Sequence, residues 1–461
     1  MCGIIGVADH QDAAKIAFLG LYALQHRGEE AAGISSYDGR EVHIIKNLGL
    51  VADAFDERSM SELKGKTAIG HCRYSTTGSS NLKNIQPFLA THRNRAIAIS
   101  HNGNLTNTET LYQKLEEEGS IFQTSMDSEI IVHLLARARN GDMKKWFIEV
   151  LSQLKGAFSL VFLIEDTLVG ARDPQGFRPL CLGKFEDSYI LASESCALDL
   201  IRAEFIREIE PGEIVFIHGK TIESVFLPDS SNARRAQCIF EHVYFARPDS
   251  NIFHNNVYEM RKRLGAQLAK EHPAQADFVM PIPDSGSYAA LGFAQELKLP
   301  LEMGIIRNHY IGRTFIQPTQ FLRDFRVRVK LNPIRSVLNG KRIIVVEDSI
   351  VRGTTARSRV EELRRVGAKE IHLRISCPPI QWPCFYGIDF PDKDELIAAN
   401  QTVQEIARFL KVDSLEYLSL EGMLSAVENS KDFCHACFSG QYPVDVPKTK
   451  SKYLLEGSRK S

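Results

Sequence analysis

The stretch Ile343 to Thr355 reads Ile-Ile-Val-Val-Glu-Asp-Ser-Ile-Val-Arg-Gly-Thr-Thr. An apolar run of strand length, Ile343 to Val346, stops at two adjacent carboxylates, Glu347 and Asp348. A short loop follows (Ser349, Arg352, Gly353), and Thr354 and Thr355 open a helix whose apolar face is Val360, Leu363 and Val366, with Gly367 as its C-terminal cap. A loop between a strand and a helix N-terminus binds anions, because free backbone N–H groups and the positive end of the helix dipole point into it. Two carboxylates just ahead of it can accept hydrogen bonds from vicinal hydroxyls or hold a hard cation. The implied ligand is a sugar phosphate.

A second constellation sits at the other end of the chain. In Met1-Cys2-Gly3-Ile4-Ile5-Gly6-Val7, removal of Met1 would leave a thiol beside a free α-amine. An α-amine titrates at about 7.7–8.0 and can act as a base at neutral pH, so one residue supplies both nucleophile and base. Three further segments end apolar runs in polar and glycine residues: Gln25-His26-Arg27-Gly28, Gly70-His71-Cys72-Arg73-Tyr74, and Ser100-His101-Asn102-Gly103-Asn104. The Asn102 side chain and the Gly103 N–H can stabilise an oxyanion. Arg73 can clamp a carboxylate, and Asp127 can hold an ammonium. A zwitterionic amino acid bearing an amide, glutamine, satisfies the set, with Arg27 as a further contact. Bland alternatives exist for each: a helix C-terminus at Arg27-Gly28, a surface ion pair at Arg73, a type I′ hairpin turn at Asn102-Gly103.

The elements that must position these residues divide the chain in two. A length of 461 residues suits two domains, and 56 basic against 57 acidic residues argue against a nucleic-acid binder. No apolar stretch is long enough to span a membrane and the start does not read as a signal peptide, so a cytoplasmic protein is expected. Up to about residue 225, helices near 12–26, 108–118 and 127–139 accompany closely spaced strands at 157–164, 167–172, 188–193 and 213–217. This predicts an α+β layered fold with antiparallel sheets over 2–230, closed by the polar linker Pro228 to Asn232. From about 255, strands alternate with helices, predicting a doubly wound parallel α/β sheet within 231–461, followed by C-terminal helices and a disordered tail after Val446. Asp277 to Pro283 is a strand, Asp284-Ser285-Gly286-Ser287 a loop, and a helix runs to about Lys298, making a second strand–loop–helix anion site. Between the two sites, Arg323, Arg326, Arg328, Lys330 and Arg335 suggest a loop closing over a polyanion. Of nine cysteines, Cys434-His435-Ala436-Cys437 forms a CxxC, with Cys238 and Cys384 as further ligand candidates. Four thiolates suit zinc or an iron–sulfur cluster alike. Cys72, Cys181, Cys196 and Cys377 read as core residues.

Residues 343–355 resemble the ribose-phosphate motif of type I phosphoribosyltransferases. The N-terminal half resembles class II glutamine amidotransferases of the N-terminal-nucleophile type, with its αββα layers. Together they make residues 2–445 similar to the glutamine phosphoribosylpyrophosphate amidotransferases, a likeness that includes Glu241 to Ser250 and Tyr310 to Ile316. The resemblance implies hydrolysis of glutamine at Cys2 and transfer of ammonia to C1 of 5-phosphoribosyl-1-pyrophosphate, the first step of purine synthesis. It puts the ribose hydroxyls on Glu347 and Asp348 and the 5-phosphate on Ser349 to Thr355. The pyrophosphate falls to Asp284, Ser285, Gly286 and Ser287, and Mg²⁺ lies among Ser285, Glu347 and Asp348. It assigns a [4Fe–4S] cluster to Cys238, Cys384, Cys434 and Cys437. A homo-oligomer, tetramer or dimer, inhibited by purine nucleotides is implied. So is a glutaminase that accelerates when the second substrate binds, through the basic segment Arg313 to Arg335 with Tyr258 and Arg27 as relays.

Overall fold

The computed structural model describes all residues except 76, 77, 79, 80, 94, 139–141, 229, 309–330, 448–453 and 457–461. The closing loop expected between the two anion sites, and the motif Tyr310 to Ile316, lie outside the described residues, apart from Arg335 in the helix Arg335–Leu338.

Two antiparallel sheets of seven and six strands, stacked face to face, form the N-terminal half. Alternation along each strand decides which side chain enters which layer. In Gly3–Val7, Ile4 points between the sheets towards Ile69, Val161 and Leu191, while Ile5 and Val7 face the helix Ala13–Ala23. In Gly156–Ile164, Val161 and Leu163 point inward, whereas Leu160 and Phe162 pack under the helices Thr108–Glu117, Asp127–Arg137 and Met143–Leu151. Because it is covered on both faces, this strand reads as an unbroken apolar run. The result is four layers, helix–sheet–sheet–helix. The helix Met143–Leu151 was absent from the sequence reading.

A parallel sheet carries the C-terminal half, with strands Phe278–Pro281, Arg342–Glu347, Glu370–Ile375 and Ser414–Tyr417 in that order. Leu301 bridges Val279, also in parallel, on the side away from Arg342–Glu347, so the order in which strands are added reverses at the first strand. Helices Val257–Glu271, Ser287–Leu297, Thr354–Arg365 and Val403–Leu410 cover it, and Val360, Leu363 and Val366 are buried as their spacing predicts. In such a sheet the crevice at the carboxyl ends of the strands beside the reversal is where ligands bind. The two halves share a core: Met1, Ala157 and Phe177 pack into the apolar cluster of the C-terminal half.

Candidate active sites

Asn102 and Gly103 lie inside the strand Arg95–Leu105, opposite Ser159 and Phe158. They form neither a hairpin turn nor a strand end, which corrects both sequence expectations: the polar residues continue the ladder, His101 and Gly103 line a pocket, and the Asn102 side chain lies against Cys2. That pocket is lined by Cys2, Arg73, Tyr74, His101, Gly103 and Asp127, among others. Asn102 is buried. Its Oδ1 accepts the Cys2 N–H at 3.2 Å, and its Nδ2 has no hydrogen-bond partner among the described residues. A buried, unused amide donor beside a thiol is costly unless a ligand oxygen arrives. The Cys2 Sγ lies 3.6 Å from the Tyr74 carbonyl. Asp127, at the N-terminus of its helix, accepts the Leu105 N–H at 3.0 Å and pairs with His101 at 3.4 Å. Burial alone would raise the Asp127 carboxyl; His101 and the hydrogen bonds outweigh it and hold it low. Arg73 is buried, with Nη2 on the Gly78 carbonyl at 3.3 Å.

Arg27 is not in this pocket. Its guanidinium is fully buried behind the nucleophile: Nε donates to the Cys2 carbonyl at 3.0 Å, and the remaining nitrogens are taken by Glu194 and, in bidentate fashion, by Glu241 at 2.9 and 3.0 Å. The expected substrate contact is therefore replaced by a hold on the main chain of Cys2, because every nitrogen of the fork is engaged. Arg178 shares Glu241 at 3.2 Å, and His26 meets Glu194 at 2.8 Å. Met1 is buried beside Arg178, and burial lowers its α-amine to about 6.

The second site is a cavity of about 750 Å³ at the carboxyl ends of Phe278–Pro281 and Arg342–Glu347. It is lined by Asp284, Ser285, Glu347, Asp348 and all of Ser349 to Thr355, so the N-termini of both the Ser287 and the Thr354 helices open towards it. Gly286 belongs to the same loop and Ser287 is the first residue of its helix. Gly353 adopts φ +77° to turn the loop into the second helix, a left-handed conformation that favours glycine. Asp348 accepts the Ser349 hydroxyl at 2.5 Å and the Ser285 hydroxyl on its other oxygen. Glu347 is paired with Arg359, yet burial pushes its carboxyl up to about 7. Arg307 pairs with Asp284 and Arg352 with Glu395 at 2.8 Å. His26 and Tyr74 of the N-terminal half complete the wall, so one cavity touches both halves.

The four candidate cysteines come together from distant segments. Gln237–Cys238 pairs in parallel with Phe433–Cys434, setting Cys238 directly opposite Cys434, and all four line one small pocket with Phe177, Arg178 and Tyr386. Burial pushes the Cys238 thiol up to about 11 and raises Cys434 and Cys437 as well. Without a cation four buried thiolates could not coexist. Among the described residues no three of these sulfurs lie within 4.8 Å of one another. A tetrahedral zinc with bonds of about 2.3 Å would draw its sulfurs to roughly 3.8 Å. Cys72, Cys181, Cys196 and Cys377 are buried elsewhere. The tail expected to be disordered includes a described turn, Leu454–Glu456, whose Glu456 accepts the Ser125 hydroxyl at 3.0 Å.

Sequence reading missed Arg178, Glu194 and Arg359. Each is a charged residue in an ordinary local context, and only its pairing with a partner more than ten residues away gives it meaning.

Comparison with known proteins accounts for both sites. Residues 71–200 match the model of a glutamine amidotransferase domain and residues 250–381 that of a phosphoribosyl transferase domain. The amidophosphoribosyltransferase of Methanocaldococcus jannaschii is 48% identical, over 97% of this chain and 98% of its own. That of Bacillus subtilis is 45% identical over 96% and 94%. A solved structure described as the allosteric regulatory enzyme of purine biosynthesis superposes with a TM-score of 0.93, at 44% identity and 99% coverage of both chains. Another, glutamine phosphoribosylpyrophosphate amidotransferase from B. subtilis complexed with ADP and GMP, gives 0.92, covering 98% of this chain and 100% of that one. With a glutamine amidotransferase half, a phosphoribosyl transferase half and end-to-end likeness of this order, the chain belongs to the amidophosphoribosyltransferase family.

Proposed function

We propose that the chain joins glutamine hydrolysis at Cys2 to pyrophosphate displacement in the 750 Å³ cavity, making 5-phosphoribosylamine. Once Met1 is removed, the Cys2 amine takes the thiol proton and the sulfur attacks the glutamine carboxamide. Arg73 and Asp127 hold the carboxylate and ammonium of the substrate, and the Asn102 Nδ2 and Gly103 N–H receive the oxyanion. Ammonia leaves as the thioester forms, and water then releases glutamate. Passing inside the protein to the shared cavity, ammonia attacks C1 of the phosphoribosyl group as pyrophosphate departs. Glu347 and Asp348 orient the ribose hydroxyls, the Ser349–Thr355 loop takes the 5-phosphate, and Asp284–Ser287 the pyrophosphate. Ser285, Glu347 and Asp348 offer only oxygen ligands, which suits Mg²⁺; the ion would neutralise the departing pyrophosphate. The carrying observation is the orphaned Asn102 donor beside Cys2 in a chain whose other half opens onto the same interface. Purine nucleotides as inhibitors, a homo-oligomer and a cytoplasmic location are parts of the same reading. Among the described residues no helix is long and apolar enough to cross a membrane. Single-turnover assays with amide-¹⁵N glutamine test the proposal: glutamate and pyrophosphate should appear one for one, with the label in the sugar amine. Pyrophosphate release without label transfer would refute it.

Two local predictions belong here. Asn102→Ala is expected to slow glutamine hydrolysis by about 10²–10³-fold, the usual cost of one oxyanion donor. Stopped-flow single turnovers measure it, and an unchanged rate would remove Asn102 from that role. For the cysteines we propose a structural [4Fe–4S] cluster, supported by four thiols from three distant segments that line one small pocket. Cys384→Ser should lose the visible chromophore and lower the melting temperature by roughly 10 °C, as a loss of about 3 kcal/mol would. Metal analysis decides between metals: stoichiometric zinc without iron or labile sulfide would eliminate the cluster and keep the ligands.

A further inference from the structure

We infer that the segment Phe385–Gly387, part of the phosphoribosyltransferase half, positions the oxyanion donors of the glutaminase half. The inference rests on Asn102 and Gly103 being those donors. Three contacts carry it. The Phe385 carbonyl accepts the Asn104 side-chain N–H at 3.0 Å, one residue beyond Gly103. Gly387 lies flat against the Gly103 peptide: a Cβ at 387 would stand 3.1–3.2 Å from the Cα, C and O of Gly103. Gly103 is also packed against Ala157 of the neighbouring strand, whose carbonyl oxygen would lie 2.1 Å from a Cβ at 103. The Gly103 peptide is thus clamped between its own sheet and the other half of the protein.

The third contact ties the nucleophile to the same segment. The Tyr386 carbonyl accepts Arg178 Nε at 3.0 Å and Nη2 at 2.5 Å, while Tyr386 stacks on Phe177 at 4.3 Å. Arg178 also donates to Glu241, which holds Arg27, which in turn holds the Cys2 carbonyl. One backbone stretch therefore references both the attacking residue and the peptide that receives the oxyanion. Such donors work only within a few tenths of an ångström of the developing charge. The segment is also anchored at both ends: it begins at Cys384, in the cysteine pocket, and continues into Ile388, Asp389 and Phe390, which line the large cavity. It thus touches all three places.

The test is Gly387→Ala in the full-length protein, with Asn104→Ala as a milder partner. Alanine at 387 must move the Gly103 peptide by a few tenths of an ångström and take up φ +108°. We expect kcat for glutamine hydrolysis to fall about 10- to 100-fold, a part of the loss of a whole donor. KM for glutamine should stay within twofold, since Arg73 and Asp127 are untouched, and ammonia-dependent synthesis should be unchanged. Affinity for the γ-aldehyde analogue of glutamate should fall in step with kcat. That analogue adds the Cys2 thiol and puts its oxygen between the donors. A loss of fold alone would not weaken the aldehyde selectively over product glutamate. Asn104→Ala should show the same pattern at about 3- to 10-fold, and it decides the matter if Gly387→Ala does not fold. Wild-type kcat in the folded variants, or equal loss of hydrolysis and ammonia-dependent synthesis, would overturn the inference. If Asn102→Ala also left hydrolysis intact, the oxyanion assignment itself would fall; a slow Asn102→Ala beside an unaffected Gly387→Ala would refute only the positioning role.

Discussion

Cys2→Ala is expected to abolish glutamine-dependent synthesis, by about 10⁵-fold or more as in other nucleophile deletions, and to leave synthesis from free ammonia at the wild-type rate. The asymmetry follows from the architecture. Cys2 sits in the N-terminal half with its carbonyl on Arg27, and its thiol is absent from the lining of the phosphoribosyl cavity. Alanine keeps the Cys2 N–H to Asn102 and the Arg27 contact, since both use backbone atoms. It removes only sulfur, from a residue already 8% exposed. The measurement is initial rate with glutamine against ammonium chloride at a pH where ammonia is available. Parallel loss of the two rates would mean that the thiol supports the fold or the transfer step, and the nucleophile would have to be sought elsewhere.

The converse experiment is Asp348→Asn. Synthesis should fall by about 10²–10³-fold with either nitrogen source, while glutamine hydrolysis measured without the second substrate persists. Asp348 accepts hydroxyls from both Ser285 and Ser349, so it organises the loops expected to meet pyrophosphate and 5-phosphate. Asparagine preserves shape and one acceptor but removes the charge that a bound cation or a positive ribose centre needs. It also turns one contact from acceptor to donor, which a serine oxygen can accept. Melting temperature and basal glutaminase rate serve as controls for folding. A variant that keeps full synthesis would take Asp348 out of the transfer chemistry and leave Glu347 alone. A variant that loses the basal glutaminase as well would show that the cavity governs Cys2 even when empty.

Much of the site was legible because its chemistry is local. Glu347 to Thr355 is a contiguous strand–loop–helix, and backbone geometry there follows from an apolar run, a glycine and a helix start, so anion binding could be read directly. Cys2 needed no tertiary information either, since its position next to Met1 defines its amine. Helices at 108–118 and 127–139 and strands at 157–164 and 167–172 appear within a residue or two of where periodicity puts them, because burial on a fixed period leaves few alternatives. Tertiary structure alone decided that Arg27 stands behind the nucleophile instead of in its pocket. A lone arginine can pair with any carboxylate, and its partners Glu194 and Glu241 lie 167 and 214 residues away. The sequence could not show that Asn102-Gly103 runs within a strand, since the dipeptide favours a turn locally and only the ladder to Gly156–Ile164 overrides it. Nor could it bring Gly387 against Gly103: close approach of two backbones is written in the absence of a side chain, and a glycine by itself does not say what comes near.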